Sequence, residues 1–369
     1  MLAFPGLLAL AACVTAPPAG LARYSVRGDC HGLARCHATI QDALDAAGRD
    51  LPDGWVQVDV GPGEYHEKVT LKRAKTRLHG SGTSRTLLRF DAVAETAGHY
   101  HRDNWGTAGS ATLTIDADQA IVEGLTIENT FDYLANDVLP EGDPRKIANS
   151  QALAVLVDKH SDRVLVQDSA LLGYQDTLFA DGRRVLVRRS LIAGNVDFIF
   201  GGGQVLIVDS TIRTRPRAAA FKAGEVQSII AAPSTPSSQS MGIVIYRSRL
   251  TREPGVPDGS VALGRPWHPT RNFPDGRYAD PDAVGQASYI DCFMDAHIHP
   301  EHWAGMAGTA RDGTKTRVFK PQDARFFESG SRGPGARRAD IGMHWREALG
   351  IDEIERVISD GWPEAGHPK

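Results

Sequence analysis

The sequence predicts an all-β chain folded as a right-handed, single-stranded parallel β-helix closed by short helices. Three observations carry that expectation. A segment of β-forming residues recurs at a period near 20; the repeats contain no helix-forming half; and Gly 38 and Pro 21 in 369 residues suit a chain with many turns. The clearest copies are residues 163–173 (RVLVQDSALLG), 184–194 (RVLVRRSLIAG) and 204–214 (QVLIVDSTIRT), offset by 21 and then 20 residues. Weaker copies stand at 120–129 (AIVEGLTIEN) and 242–250 (GIVIYRSRL). Leucine-rich repeats share the period, but their helical half and regular Asn ladder are absent here. In stacked coils each turn lies about 4.8 Å from the next, so residues 20–25 apart in sequence become neighbours on one face.

The elements follow in order. Residues 1–12 (MLAFPGLLALAA) are apolar and too short for an ordinary membrane span, which reads as a targeting segment. The run ends in Leu10-Ala11-Ala12-Cys13, which resembles a bacterial lipobox and makes Cys13 the candidate for lipidation; an ordinary cleaved signal is the alternative. Residues 15–20 (TAPPAG) form a linker, so that 1–22 constitute a signal and linker segment and 23–369 a single β-helix domain. Cys30 and Cys36 are expected to pair in an oxidising compartment, leaving Cys292 free; a metal site with His31 and His37 lacks a second ligand pair. Thr39 is the expected N-cap of a helix whose stripe of Ile40, Ala43, Leu44 and Ala47 closes the first coil. A second amphipathic stretch near 341–358 is expected to pack at the other end as a capping tail. The segments 91–110, 131–150 and 268–286 interrupt the coils and are expected to wall a cleft.

Charge narrows the function. With 41 Lys+Arg against 45 Asp+Glu, the net charge of −4 gives no concentrated basic surface for nucleic acid. Local basic groups that could meet an acidic polymer are Arg183, Arg184, Arg188 and Arg189, and Arg213, Arg215, Arg217 and Lys222. Solvated turn and strand positions are the plainer reading of most of them.

Two carboxylates stand one repeat apart. Asp176 lies in 173–178 (GYQDTL) and Asp197 in 194–201 (GNVDFIFG), a separation of 21 residues. Gln151, in 150–155 (SQALAV), precedes Asp176 by 25 residues, another coil, and 263–267 (LGRPW) supplies Arg265 and Trp267. These four segments resemble the signature motifs of the pectinesterase (pectin methylesterase) family. The resemblance extends to 63–67 (GEYHE), 106–112 (GTAGSAT), 325–328 (RFFE) and 333–336 (GPGA), in matching order over about residues 38–340.

That resemblance implies an esterase acting on methylated polygalacturonate, with no metal or organic cofactor and no nucleic-acid partner. Two adjacent carboxylates cannot both ionise cheaply, so their titrations separate. Arg265 would keep Asp197 ionised as nucleophile, Asp176 would carry the proton, and the amides of Gln175 and Gln151 would stabilise the oxyanion. Trp267, Phe179, Phe200, Thr270 and Met306 are the candidate substrate contacts, the last two on family position alone. Phe179 stands where many members carry Tyr, so a hydroxyl contact is missing there. Regular alternation would turn Phe198 and Phe200 away from Asp197, with Phe200 reaching the cleft only if the strand bends at Gly201. The same fold could instead serve oligogalacturonides or other esters, bind polysaccharide without catalysis, or act as a pectate lyase. A lyase would want a calcium-binding carboxylate cluster, and the carboxylates here are absorbed by the esterase pattern. The expected protein is a monomer, extracytoplasmic, touching a membrane only through its N-terminal lipid.

Overall fold

In the computed structural model, which describes residues 21–99, 106–336 and 350–360, three parallel sheets run the length of one coil. They contain eleven, eight and seven strands, and each turn of the chain adds one strand to each sheet. The repeat seen in the sequence is the register of the coil: Val164 pairs with Val185 and Val185 with Val205. The chain is thus the expected parallel β-helix. The positions before residue 21, including Cys13, lie outside the described residues.

Inward positions repeat the same residue type from rung to rung. Val58, Leu78, Val122, Val166, Val187, Ile207 and Ile245 form one such column in the central core. Each buried aliphatic side chain contributes about 1.5–3 kcal/mol relative to exposure. Stacking β-branched residues on like neighbours also satisfies their stiff rotamers.

The turn between the eleven- and eight-stranded sheets is built alike on successive coils. Asp168, Arg189, Asp209, Arg247 and Asp291 take left-handed backbone with φ between 47° and 52°. Alternating charge offsets the crowding, since Arg189 pairs with Asp168 at 2.6 Å and Arg247 with Asp209 at 2.7 Å. The next residue is a serine whose hydroxyl accepts the amide of the preceding rung: Ser190 from Ser169, Ser210 from Ser190, Ser248 from Ser210. The free, buried Cys292 occupies the same rung position and bonds Ile290 O and Ile245 O at 3.4 Å.

Helix α1 (Ile40–Asp50) covers the first coil with Ile40, Ala43, Leu44, Ala46 and Ala47 buried. Thr39 Oγ1 accepts from Asp42 N, and the Glu67 carboxylate accepts from Ile40 N and Gln41 N. A second, acidic cap therefore meets the positive end of the helix. A disulfide joins Cys30 and Cys36 across a Cα separation of 5.4 Å.

The C-terminal helix departs from expectation. Helix α3 (Ile351–Ser359) lies on the flank of the eleven-stranded sheet, not over its end, and residues 341–349 lie outside the described residues. Ile354 and Ile358 pack on an outward column of Ile121, Leu165, Leu186, Leu206 and Val244, with Met241 beside it. The repeat's V-L-V triplet points two side chains inward and one out, and that outer leucine stripe needs a cover.

Candidate active site

The seven-stranded sheet carries the two carboxylates on adjoining rungs. Leu178 pairs with Ile199 and Phe179 with Phe200, so the 21-residue offset sets Asp176 beside Asp197. Backbone bonds tie the approach to each: Asn195 N donates to Tyr174 O at 2.8 Å, and Asp176 N to Val196 O at 2.9 Å. Both aspartates hold left-handed backbone, φ 65° at Asp176 and 50° at Asp197, a conformation sparsely populated outside glycine. Gly194 permits the tight turn behind them, because a Cβ there would collide with Phe198 and stand 2.6 Å from Thr177 Oγ1.

At Asp197 the ladder with Ser228–Pro233 slips between Val196 and Ile199. Alternation therefore fails before Gly201, at the bulge between Val196 and Ile199. Phe198 and Ile199 both enter the central core, and Phe200 emerges on the outer face with Phe179 and Trp267.

Arg265 grips Asp197 with both arms, Nε to Oδ1 at 2.8 Å and Nη2 to Oδ2 at 2.5 Å. Burial would lower the Arg265 pKa, but the Asp197 carboxylate outweighs it and the net direction is up. Asp176 has no such partner. Its burial, and then the charge of Asp197, drive its pKa well above the usual carboxylate range, with Arg265 opposing in part. Two like side chains one rung apart thus meet different surroundings, one gripped by a guanidinium and the other without such a partner.

Gln175 stands in the turn next to Asp176, and Gln151 one coil back, ahead of the strand Val155–Val157. Gln175 Oε1 accepts from Ser150 Oγ at 3.0 Å, its carbonyl accepts from Ala152 N at 3.2 Å, and the Gln151 carbonyl accepts from Ala94 N at 2.9 Å. Beside them stands an aromatic shelf. Phe179 stacks on Phe200 with centroids 4.3 Å apart, and Trp267 meets Phe200 edge-on at 5.5 Å and Phe179 at 6.1 Å. Phe200 is only 3% exposed, so it backs the shelf, whereas Phe179 and Trp267 are half-buried and offer its surface.

The chain is similar to known proteins over most of its length. The Pectinesterase family matches residues 29–338. Pectinesterase A of Dickeya dadantii is 40% identical over 329 residues, 88% of this chain and 87% of that protein. The chain belongs to the pectinesterase family. Its coil resembles the pectin methylesterase of Erwinia chrysanthemi, 37% identical with a TM-score of 0.83 over 94% of this chain and 98% of that one. A pectin methylesterase in complex with a hexasaccharide matches at 37% identity and a TM-score of 0.82, over 91% and 97% of the two chains.

Segment 131–150 forms one wall beside this pectinesterase site, and residues 100–105 of segment 91–110 lie outside the described residues. Segment 131–150 carries helix α2 (Tyr133–Asp137), and Asp137 accepts from Arg217 Nε and Nη2 and from the amides of Ala218 and Ala219, at 2.7–3.0 Å. Tyr133 stacks on Tyr174 at 5.4 Å, and the Arg215 guanidinium lies 4.0 Å over the other ring. Burial pushes the Tyr133 phenol up, helped by the charges of Asp137 and Asp176 and opposed by Arg217. Thr270 and Met306 stand on two antiparallel hairpins outside the coil; the Thr270 hydroxyl bonds Thr309 at 2.8 Å, and Met306 pairs with Phe319.

The basic residues divide. Arg184 pairs with Asp162, Arg188 Nε donates to Gln167 Oε1 at 2.8 Å, and Arg189 pairs with Asp168, all on the sheet and turn remote from the carboxylates. Arg215 and Arg217 stand in the wall. Sequence reasoning passed over Asp137, Tyr133 and Ser150. Asp137 gave no signal beyond its place in a wall segment, while Ser150 stood in the Gln151 motif without a role.

Proposed function

We propose that Asp197 and Asp176 divide pectin demethylation between a nucleophile and a proton carrier. The chain is a carboxylic ester hydrolase that converts methylated homogalacturonan to pectate and methanol. An Asp197 oxygen attacks the methyl-ester carbonyl carbon, and its electron pair becomes the new C–O bond while the carbonyl oxygen turns anionic. The Gln175 and Gln151 amide groups donate to that oxyanion. On collapse the C–OCH3 bond breaks, and Asp176 protonates the departing methoxide to methanol. The acyl-enzyme anhydride remains on Asp197. Asp176, now a base, takes a proton from water, whose oxygen attacks the acyl carbon and frees the galacturonate carboxylate and Asp197.

The observation that carries this reading is the asymmetry between two buried carboxylates: one is held by both arms of Arg265, the other has no side-chain hydrogen bond among the described residues and its pKa is raised. Trp267 and Phe179 supply apolar faces for sugar rings, backed by Phe200. Thr270 and Met306 extend the contact surface from the hairpins. Methanol release from methylated pectin tests the assignment. Wild type releases it and Asp197→Ala and Asp176→Ala do not; substantial release by Asp197→Ala removes it from the nucleophile's role.

The enzyme works outside the cytoplasm, as its Cys30–Cys36 disulfide and polymeric substrate favour. It acts as a monomer on pectin or its oligomers, tethered through lipid on Cys13. Mass spectrometry of the mature N-terminus checks the tether: a terminus beyond Cys13 without acyl chains overturns it.

A further inference from the structure

Gln175 can help an oxyanion only if its nitrogen, not its oxygen, faces the reacting ester. A carboxamide has one end of each kind, nearly equal in size, and only its hydrogen-bond partners choose between them. Here the oxygen is engaged: Ser150 Oγ donates to Gln175 Oε1 at 3.0 Å, in a half-buried contact between adjacent coils. That leaves the two N–H bonds of Nε2 for the cleft.

Both ends of this contact are fixed by backbone. On the Ser150 side, Glu95 N donates to Asn149 O at 3.2 Å and Ala94 N to Gln151 O at 2.9 Å. The Glu95 carboxylate in turn accepts from Ala148 N and Asn149 N, at 2.9 and 3.0 Å. On the Gln175 side, Ala152 N donates to Gln175 O at 3.2 Å, and the next residue, Asp176, is anchored on Val196 O. The hydroxyl is therefore presented from a braced segment to a braced residue.

We propose that Ser150 is a positioning residue of the esterase reaction, holding the Gln175 carboxamide with its N–H bonds toward the oxyanion. This rests on the reading of Gln175 as an oxyanion donor. Ser150 touches no reacting atom, so its loss loosens the donor without removing it. Loss of an oxyanion donor outright costs on the order of 10²–10³ in kcat. Ser150→Ala is expected to lower kcat about tenfold with KM nearly unchanged, since the amide contributes when charge develops and little before. Ser150→Thr keeps a hydroxyl at the same backbone position and is expected to restore most of the rate.

The deciding experiment is a double-mutant cycle on methanol release from methylated pectin, with Ser150→Ala, Gln175→Ala and the pair. If Ser150 acts through Gln175, Ser150→Ala has no further effect once Gln175 is alanine. Full independent losses in the pair, or a Ser150→Ala enzyme with wild-type kcat, overturn the proposal. A Gln175→Ala enzyme with wild-type kcat overturns the donor reading beneath it. The thermal midpoint of each variant separates a folding defect from a catalytic one: a Ser150→Ala rate loss that tracks a lowered midpoint, and that Ser150→Thr does not repair, also counts against it.

Discussion

Arg265 donates to both oxygens of Asp197, whereas Asp176, on the adjoining rung, has no side-chain hydrogen bond among the described residues. The difference originates in the ladder. Arg265 N donates to Ala231 O at 3.0 Å, and Ala231 pairs with Ile199, which places the guanidinium over the rung of Asp197. Asp176, one coil back, feels the same cation more weakly and the Asp197 charge more strongly, after burial itself.

Removing the guanidinium should reveal this arrangement in the pH profile. Arg265→Ala is expected to lower kcat by about 10³, the scale of losing charge-assisted bonds that aim a reacting group. Arg265 lowers the Asp176 pKa, so its loss sends that already raised pKa higher. Where proton donation limits the rate, activity falls as pH rises through the Asp176 pKa. The alkaline limb of residual activity should therefore move to higher pH. Arg265→Lys restores charge without the two-armed grip and is expected to recover only part of the rate. Steady-state kinetics across pH check both.

The outer leucine stripe predicts what helix α3 does. Ile354 and Ile358 are 1% and 2% exposed on that stripe. Ile354→Asp would bury an unpaired carboxylate or lift the helix, at about 2–4 kcal/mol. Thermal unfolding should register the loss, and dye binding should report exposed apolar surface. Methanol release per folded molecule should stay near wild type, since the helix lies on a different sheet from Asp176 and Asp197.

Much of this architecture was legible because a coil converts sequence interval into distance. The offset between residues 163, 184 and 204 foretold the pairing of Val164, Val185 and Val205, and with it the proximity of Asp176 and Asp197. The position of α3 was harder to read, although its cause was printed in every V-L-V triplet: an apolar residue facing outward on successive rungs requires a partner. The bulge at Asp197 had no such signal. Alternation holds only while the backbone stays extended, and left-handed φ at a non-glycine residue is not written in composition. Asp137 was hidden for a related reason. Its value depends on Arg217, 80 residues later, reached across a wall and not along the repeat.

The aromatic shelf separates binding from support. Trp267 is half-buried, so Trp267→Ala should raise KM for methylated pectin several-fold while lowering kcat less. Phe200, 3% exposed behind Phe179, should behave differently: Phe200→Ala opens a cavity costing about 3–5 kcal/mol and lets the shelf sag. Its thermal midpoint should fall well below that of Trp267→Ala. Equal midpoints for the two variants would contradict this division.

His297 should set part of the acid limit of the folded state. It is fully buried, and neither ring nitrogen has a hydrogen-bond partner. Burial is the main cause that lowers its pKa to about 4; Arg252 acts in the same direction, and Asp295 and Asp258 oppose it. The unfolded chain holds a proton on this ring below about 6.5. From there down to about 4 the unfolded state binds the proton and the folded state does not. Stability from this site is thus whole above about pH 6.5 and drains as pH falls through that window, by about 3 kcal/mol in total. His297→Leu fills similar space without a titrating group. Denaturant melts from pH 7 to 4 should show a shallower decline for the variant, with the two curves diverging below pH 6.5 and running parallel again below pH 4. An unchanged slope would show that the ring finds a partner in solution and that acid sensitivity originates elsewhere in the coil.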